Sequence, residues 1–238
     1  MGLTGKNNEE KAWNFLKGKI PNDFGVAGLM GELFAESGLN PQNLQNSYEK
    51  KLGFTDATYT AAVDSGSYAN FVHDSAGYGV AQWTFWSRKE ALLNYVRALG
   101  VSIGDLEAQL GFLYKELSES YPSVLAALKT ATSVRAASDK VLTDFERPAD
   151  QSEAVKIKRA GYGQTYYDKY AKAAASTPSE GGNNMSNSPL VNCTVKSPNH
   201  SGKRTHSIDT LTPHCVVGQL TAEGIGSCFP AGREASCN

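Results

Sequence analysis

The stretch Pro21-Asn-Asp-Phe-Gly-Val-Ala-Gly-Leu-Met-Gly-Glu-Leu-Phe-Ala-Glu-Ser-Gly-Leu-Asn-Pro41 reads as one helix with both ends marked. Asn22 or Asp23 caps the start, because a short polar side chain accepts from the free first-turn amides; Gly38 followed by Asn40-Pro41 stops it. Val26, Leu29, Met30 and Leu33 recur at three- and four-residue spacing and form an apolar stripe. Gly25, Gly28 and Gly31 each weaken a helix by about 1 kcal/mol relative to alanine, so their presence predicts a neighbouring backbone packed close. Glu36 falls in the last turn beside Leu29, at the edge of the stripe, where it is expected to be partly desolvated. Burial and the negative end of the helix dipole both disfavour the anion, the direction required of a carboxylic acid that holds a proton at neutral pH and donates it.

Outward from this helix the same periodicity continues to about residue 175, predicting further helices at about 8–18, 86–99, 104–118, 122–130, 132–146 and 150–174. Residues 65–83 differ. Gly66, Gly77 and Gly79 punctuate aromatic and β-branched residues, predicting a short strand or hairpin excursion, a small β or irregular flap on a mainly α domain. The expected organisation is a helical domain over 1–174, a Ser-, Asn- and Gly-rich linker over 175–188, and a β-rich segment over 189–238.

The 238 residues suit one large domain with an appended fragment. Lys+Arg 23 against Asp+Glu 24 leaves a net charge of −1, without the basic field that holds a phosphate backbone, so nucleic acid is not an expected partner. No stretch approaches the roughly 20 apolar residues of a membrane span, and the start MGLTGKNNEE lacks the apolar segment of a signal peptide; the expectation is a monomer made soluble, with no membrane partner. All four cysteines follow residue 192, so the helical domain is expected to fold without disulfides.

The second informative segment is His73-Asp-Ser-Ala-Gly-Tyr-Gly-Val-Ala-Gln-Trp-Thr-Phe-Trp86. A Gly-Tyr-Gly turn lets backbone approach a ligand, tyrosine and tryptophan rings stack on sugar faces, and a glutamine bonds hydroxyl or acetamido groups. Tyr78, Gln82 and Trp83 are therefore the candidate substrate-binding residues. Ala35-Glu-Ser-Gly-Leu-Asn-Pro41, followed some forty residues later by Gly77-Tyr-Gly-Val-Ala-Gln-Trp-Thr84, resembles the phage tail lysozyme family of the lysozyme-like superfamily. The resemblance extends over about 8–172 and takes in Phe145-Glu-Arg-Pro148 and the late tyrosines 162, 166, 167 and 170.

The resemblance implies a lysozyme-like fold, cleavage of the peptidoglycan glycan strand between N-acetylmuramic acid and N-acetylglucosamine, Glu36 as the catalytic acid, no cofactor, and entry to the wall through a holin lesion or on a virion tail. Such cleavage usually needs a second carboxylate. Asp74, before the Gly-Tyr-Gly turn, is the first choice, with Asp64 and Glu49 as alternatives and capping of the turn as a competing role for Asp74. Without a second carboxylate the muramic 6-hydroxyl attacks internally, as in a lytic transglycosylase. A non-catalytic glycan-binding tail module is the rival from another class. Glu32 is expected on a solvated helix face, Glu146 in a structural role, and a His73–Asp74 dyad is disfavoured because adjacent strand residues point to opposite faces.

After the linker, residues 189–238, with Ser197-Pro-Asn-His-Ser-Gly-Lys-Arg-Thr-His206 and then Ile208 to Val217, resemble the beginning of a zinc N-acetylmuramoyl-L-alanine amidase, which implies a partial α/β tail with His214 at a ligand position. Pro213 departs from that pattern, since proline removes a ladder hydrogen bond from a central strand, and the four cysteines form no short C-x-x-C pair. No metal site is assigned.

Overall fold

The computed structural model describes residues 2–172, and these are mainly helical. In chain order the helices are α1 (Asn8–Lys17), α2 (Asp23–Ser37), α3 (Asn46–Leu52), α4 (Asp56–Asp64), α5 (Trp86–Leu99), α6 (Leu106–Glu119), α7 (Pro122–Thr130), α8 (Val134–Val141) and α9 (Glu153–Tyr166). A 3₁₀ turn lies at Ala69–Val72, and π-helical turns extend α8 over Leu142–Glu146 and α9 over Tyr167–Lys172. The expected linker at 175–188, the amidase-like segment with His214 and all four cysteines lie outside the described residues.

Helix α2 is the axis of the domain. Asn22 caps it by accepting from the Gly25 amide at 3.1 Å, and Gly38, at φ 61°, closes it by donating to Phe34 O at 2.8 Å. From Gly25 to Leu33 every residue is buried, so the expected one-sided stripe is instead a helix enclosed all round. The glycines explain how. A Cβ on Gly25 would lie 1.9 Å from the Leu128 carbonyl oxygen of α7, one on Gly28 2.5 Å from the Ala137 side chain of α8, and one on Gly31 2.5 Å from the Gly163 amide of α9. Three helices thus reach the α2 backbone through gaps left by missing side chains. Gly31→Ala is expected to destabilise the domain by about 3 kcal/mol, the upper range for overpacking, because the atoms in its way are backbone and cannot yield; equilibrium urea unfolding measures it.

The 65–83 excursion holds no strand. Its pairing is limited to isolated antiparallel bridges, Leu44 with Tyr78 and Tyr78 with Trp83. The turn is fastened by backbone bonds to residues 43–45, Gln45 N–H to Gly77 O and Gly79 N–H to Asn43 O, each at 2.9 Å, and by side chains. Gln109, fully buried on α6, accepts from the Val80 amide at 2.9 Å and donates to the carbonyls of Pro41 and Ile103, both at 2.6 Å. Gln45 Oε1 accepts from the Gly77 amide at 3.0 Å, and Ser37 Oγ donates to Val80 O at 2.9 Å. The last of these bonds ties the end of α2 directly to the Gly-Tyr-Gly turn. Helices α3 and α4 bridge the two, and Asp56 steadies their approach by accepting from the Leu44 amide and from Asn40, each at 2.9 Å.

Candidate active site

The end of α2 and the turn meet at an open cleft of about 620 Å³. Glu36, Asn43, Gln45, Gln82, Phe85, Arg88 and Glu146 are among the residues lining it. The carboxylate of Glu36, on the last turn of α2, keeps 20% of its side-chain surface exposed. Arg159 of α9 grips it from behind, with Nη1 donating to Glu36 Oε1 at 2.6 Å and to Glu32 Oε2 at 2.9 Å. Glu32 is therefore not on a solvated face. It is fully buried, accepts from Ser138 Oγ at 2.6 Å, and burial pushes its carboxyl above the usual range against the pull of Ser138 and Arg159.

Gln82 reaches the cleft with its backbone at φ 44°, a left-handed conformation unfavourable for a residue with a side chain. Its Nε2 donates to Asn43 O at 3.0 Å, Asn43 Oδ1 at 2.9 Å and Gly79 O at 3.1 Å. Tyr78 and Trp83, the other two expected sugar contacts, lie in the core with 0% exposure and offer no face to a ligand. Tyr78 O–H pairs with Thr60 Oγ1 at 2.6 Å, and Trp83 Nε1 donates to Glu116 Oε2 at 2.7 Å. Both hold the turn from within. The exposed rings are instead Phe85, 61% exposed and on the cleft wall, and Trp86, 50% exposed, their centroids 6.0 Å apart.

Asp74 does not line the cleft. Its side chain is 0% exposed and ion-paired at 2.5 Å with Lys89, itself 0% exposed. Tyr59 O–H also donates to it, Tyr68 O–H does so at 3.2 Å, and its Oδ1 accepts from the Ala76 amide at 2.9 Å. All of these bonds fasten the flap, and the turn-capping role is the one this placement fits. Asp64 is likewise engaged, accepting from Ser102 Oγ at 2.5 Å and the Ile103 amide at 2.8 Å, and Glu49 on α3 is not among the cleft residues. His73 is exposed while the Asp74 carboxylate is buried, so the two form no dyad.

The carboxyl that does share the cleft with Glu36 is Glu146, at the end of the π-helical turn after α8. Its Oε1 is buried with no hydrogen-bond partner among the described residues. Arg88 lines the same wall. It makes a two-point pair with Glu116, Nε to Oε1 at 2.8 Å and Nη2 to Oε2 at 3.0 Å, and lies 4.7 Å from the Phe145 ring centroid. In the sequence Glu146 reads as structural, pairing with Arg147 or ordering the cleft floor; Arg88 and Arg159 carry no local signal. Among the described residues no group of His, Cys, Asp and Glu is placed to hold a metal ion.

The profile of the phage tail lysozyme family matches residues 7–170. This chain belongs to the phage tail lysozyme family. The match takes in α2, the turn, Phe145-Glu-Arg-Pro148 and α9, so every residue of the cleft lies within it; it stops short of the amidase-like segment. No curated protein and no solved structure matches the chain. A phage tail lysozyme is a lysozyme-like hydrolase acting on peptidoglycan, which fits a virion-tail or wall-directed role, and among the described residues no helix is long and apolar enough to cross a membrane.

Proposed function

We propose that this chain hydrolyses the glycan strand of peptidoglycan between N-acetylmuramic acid and N-acetylglucosamine, with Glu36 as the general acid that protonates the departing glycosidic oxygen. The observation that carries this reading is the placing of Glu36: an otherwise enclosed helix ends with one carboxyl on the wall of a polar cleft. Arg159 fixes that carboxyl from behind, and the ordered amides of Gln82, Asn43 and Gln45 suit the hydroxyl and acetamido groups of a sugar. The protein reaches its substrate through a holin lesion or on the virion tail. Mass spectrometry of digested peptidoglycan is the test. Free reducing N-acetylmuramic acid ends are expected; 1,6-anhydro ends would make the protein a lytic transglycosylase, and an unchanged glycan a binding module.

Phe85 and Trp86 take the sugar-stacking role expected of Tyr78 and Trp83, since stacking needs an exposed face. Aromatic contacts contribute about 0.5–1.5 kcal/mol each. The double variant Phe85→Ala/Trp86→Ala is accordingly expected to weaken binding of a chitooligosaccharide about tenfold with Tm unchanged, as read by isothermal titration calorimetry.

A further inference from the structure

Two carboxyl groups share the cleft wall, and their surroundings differ. Glu36 has a guanidinium at 2.6 Å. Glu146 has a buried oxygen with no partner among the described residues, an arrangement that costs a folded chain the desolvation of that oxygen. Arg88, the cationic residue of the lining, directs Nε and Nη2 to Glu116 and makes no hydrogen bond to Glu146. The residue after it, Arg147, is held at φ 50°, so the chain turns through an unfavourable conformation immediately beyond this carboxyl. The buried residues of the turn are the apolar Leu142 and Phe145.

We propose that Glu146 is the second carboxyl of the reaction, the group that holds the catalytic proton in the resting enzyme and recovers it from the attacking water. The proposal rests on Glu36 being the acid. At rest Glu146 is the neutral carboxylic acid and Glu36 the carboxylate paired with Arg159. With a glycan strand in the cleft, the Glu146 O–H bond breaks and the proton passes to Glu36, directly or through one water; Arg159 remains anchored by Glu32. Glu36 then delivers the proton to the glycosidic oxygen as the bond to the anomeric carbon breaks, and both carboxyls are anions beside the cationic sugar. Water adds to the anomeric carbon and gives its proton to Glu146. The sugar gains OH at one end and H at the other, and the site returns to its starting protonation with no further reactant.

The electrostatics agree. Burial, then the Glu36 carboxylate, push Glu146 well above the usual carboxylate range; Arg88 and Arg159 pull it back, and Glu32 adds to the push. Folding thus favours protonated Glu146. A carboxyl raised in the folded state gives stability that is fully present below its unfolded pKa and lost as pH rises through its folded value. Glutamine at this position does not ionise, so Glu146→Gln is expected to keep or raise Tm above neutral pH. A merely structural acid would instead leave the variant less stable.

The test compares wild type, Glu36→Gln and Glu146→Gln on purified peptidoglycan, with Tm followed across pH. Glu146→Gln is expected to lower cleavage about a hundredfold without lowering Tm. Glu146→Ala is expected to be equally slow and to regain activity on adding sodium formate, a carboxylate small enough for the vacated space. Cleavage by Glu146→Gln within threefold of wild type, or loss of activity in the alanine variant that formate does not restore, would overturn the relay. The reading on which it rests fails separately, if Glu36→Gln still cleaves or if wild type does not.

Discussion

Replacing Glu36 by glutamine is expected to lower bacteriolytic activity at least about a thousandfold, within the range general-acid catalysis supplies. Glutamine has nearly the same shape, and its amide oxygen can still accept from Arg159, whose second anchor, Glu32, is untouched. Tm should therefore move by no more than a few degrees, and a chitooligosaccharide should bind with near wild-type affinity. What is gone is the carboxyl that hands a proton to the glycosidic oxygen. Loss of turbidity in a cell suspension measures the effect, and a variant that still clears cells would remove general-acid catalysis by this group. Clearing by the wild type separates the enzyme from a glycan-binding module, which binds the glycan and clears no cells; the binding measurement shows that the variant's cleft is intact.

How far the chain's reading reached depended on whether the deciding contact was local. Helix α2 was legible because its signals lie within its own length: Asn22, Gly38, the apolar spacing and the three glycines that forecast close backbone approach. Helix α3 was not, since it buries no residue and Gln45 makes no side-chain cap, so it leaves neither an apolar stripe nor a start signal. Helix α4 starts with a reciprocal Thr55–Thr58 cap, in which threonine stands where a glutamate or glutamine is the usual sign. The glycines and aromatics of the flap have the composition of a short strand or hairpin, whereas its order comes from backbone bonds to Asn43 and Gln45 and from the side chains of Gln45 and Gln109, all distant in sequence.

The site divides the same way. Position 36 was readable from the helix end, while Arg159, 123 residues further on, was not. Glu32 looked solvated because an amphipathic helix has a wet face, and α2 has none over that length. Trp83 and Tyr78 are aromatic for the interior and Phe85 and Trp86 for the surface, a distinction that needs the neighbours rather than the spacing.

Lys89→Met is expected to destabilise the domain by about 3–5 kcal/mol, the usual loss when one member of a buried ion pair is removed and the other stays without its counter-charge. Lys89 and Asp74 are both 0% exposed, and Lys89 Nζ also donates to Ala76 O at 2.8 Å and Tyr59 O–H at 3.3 Å, so the loss extends to the backbone leading into Gly77. At roughly 2–4 °C per kcal/mol for a domain of this size, Tm should fall by about 10 °C. Replacing both partners, Lys89→Met with Asp74→Leu, should recover much of this loss, because desolvating the charges offsets most of their attraction. Urea unfolding of the two single variants and the double variant measures the coupling. The same cycle decides the role of Asp74. If its carboxylate works only through the flap, activity measured well below each variant's Tm should return in the double variant along with stability; if the carboxylate takes part in the chemistry, stability returns and activity does not.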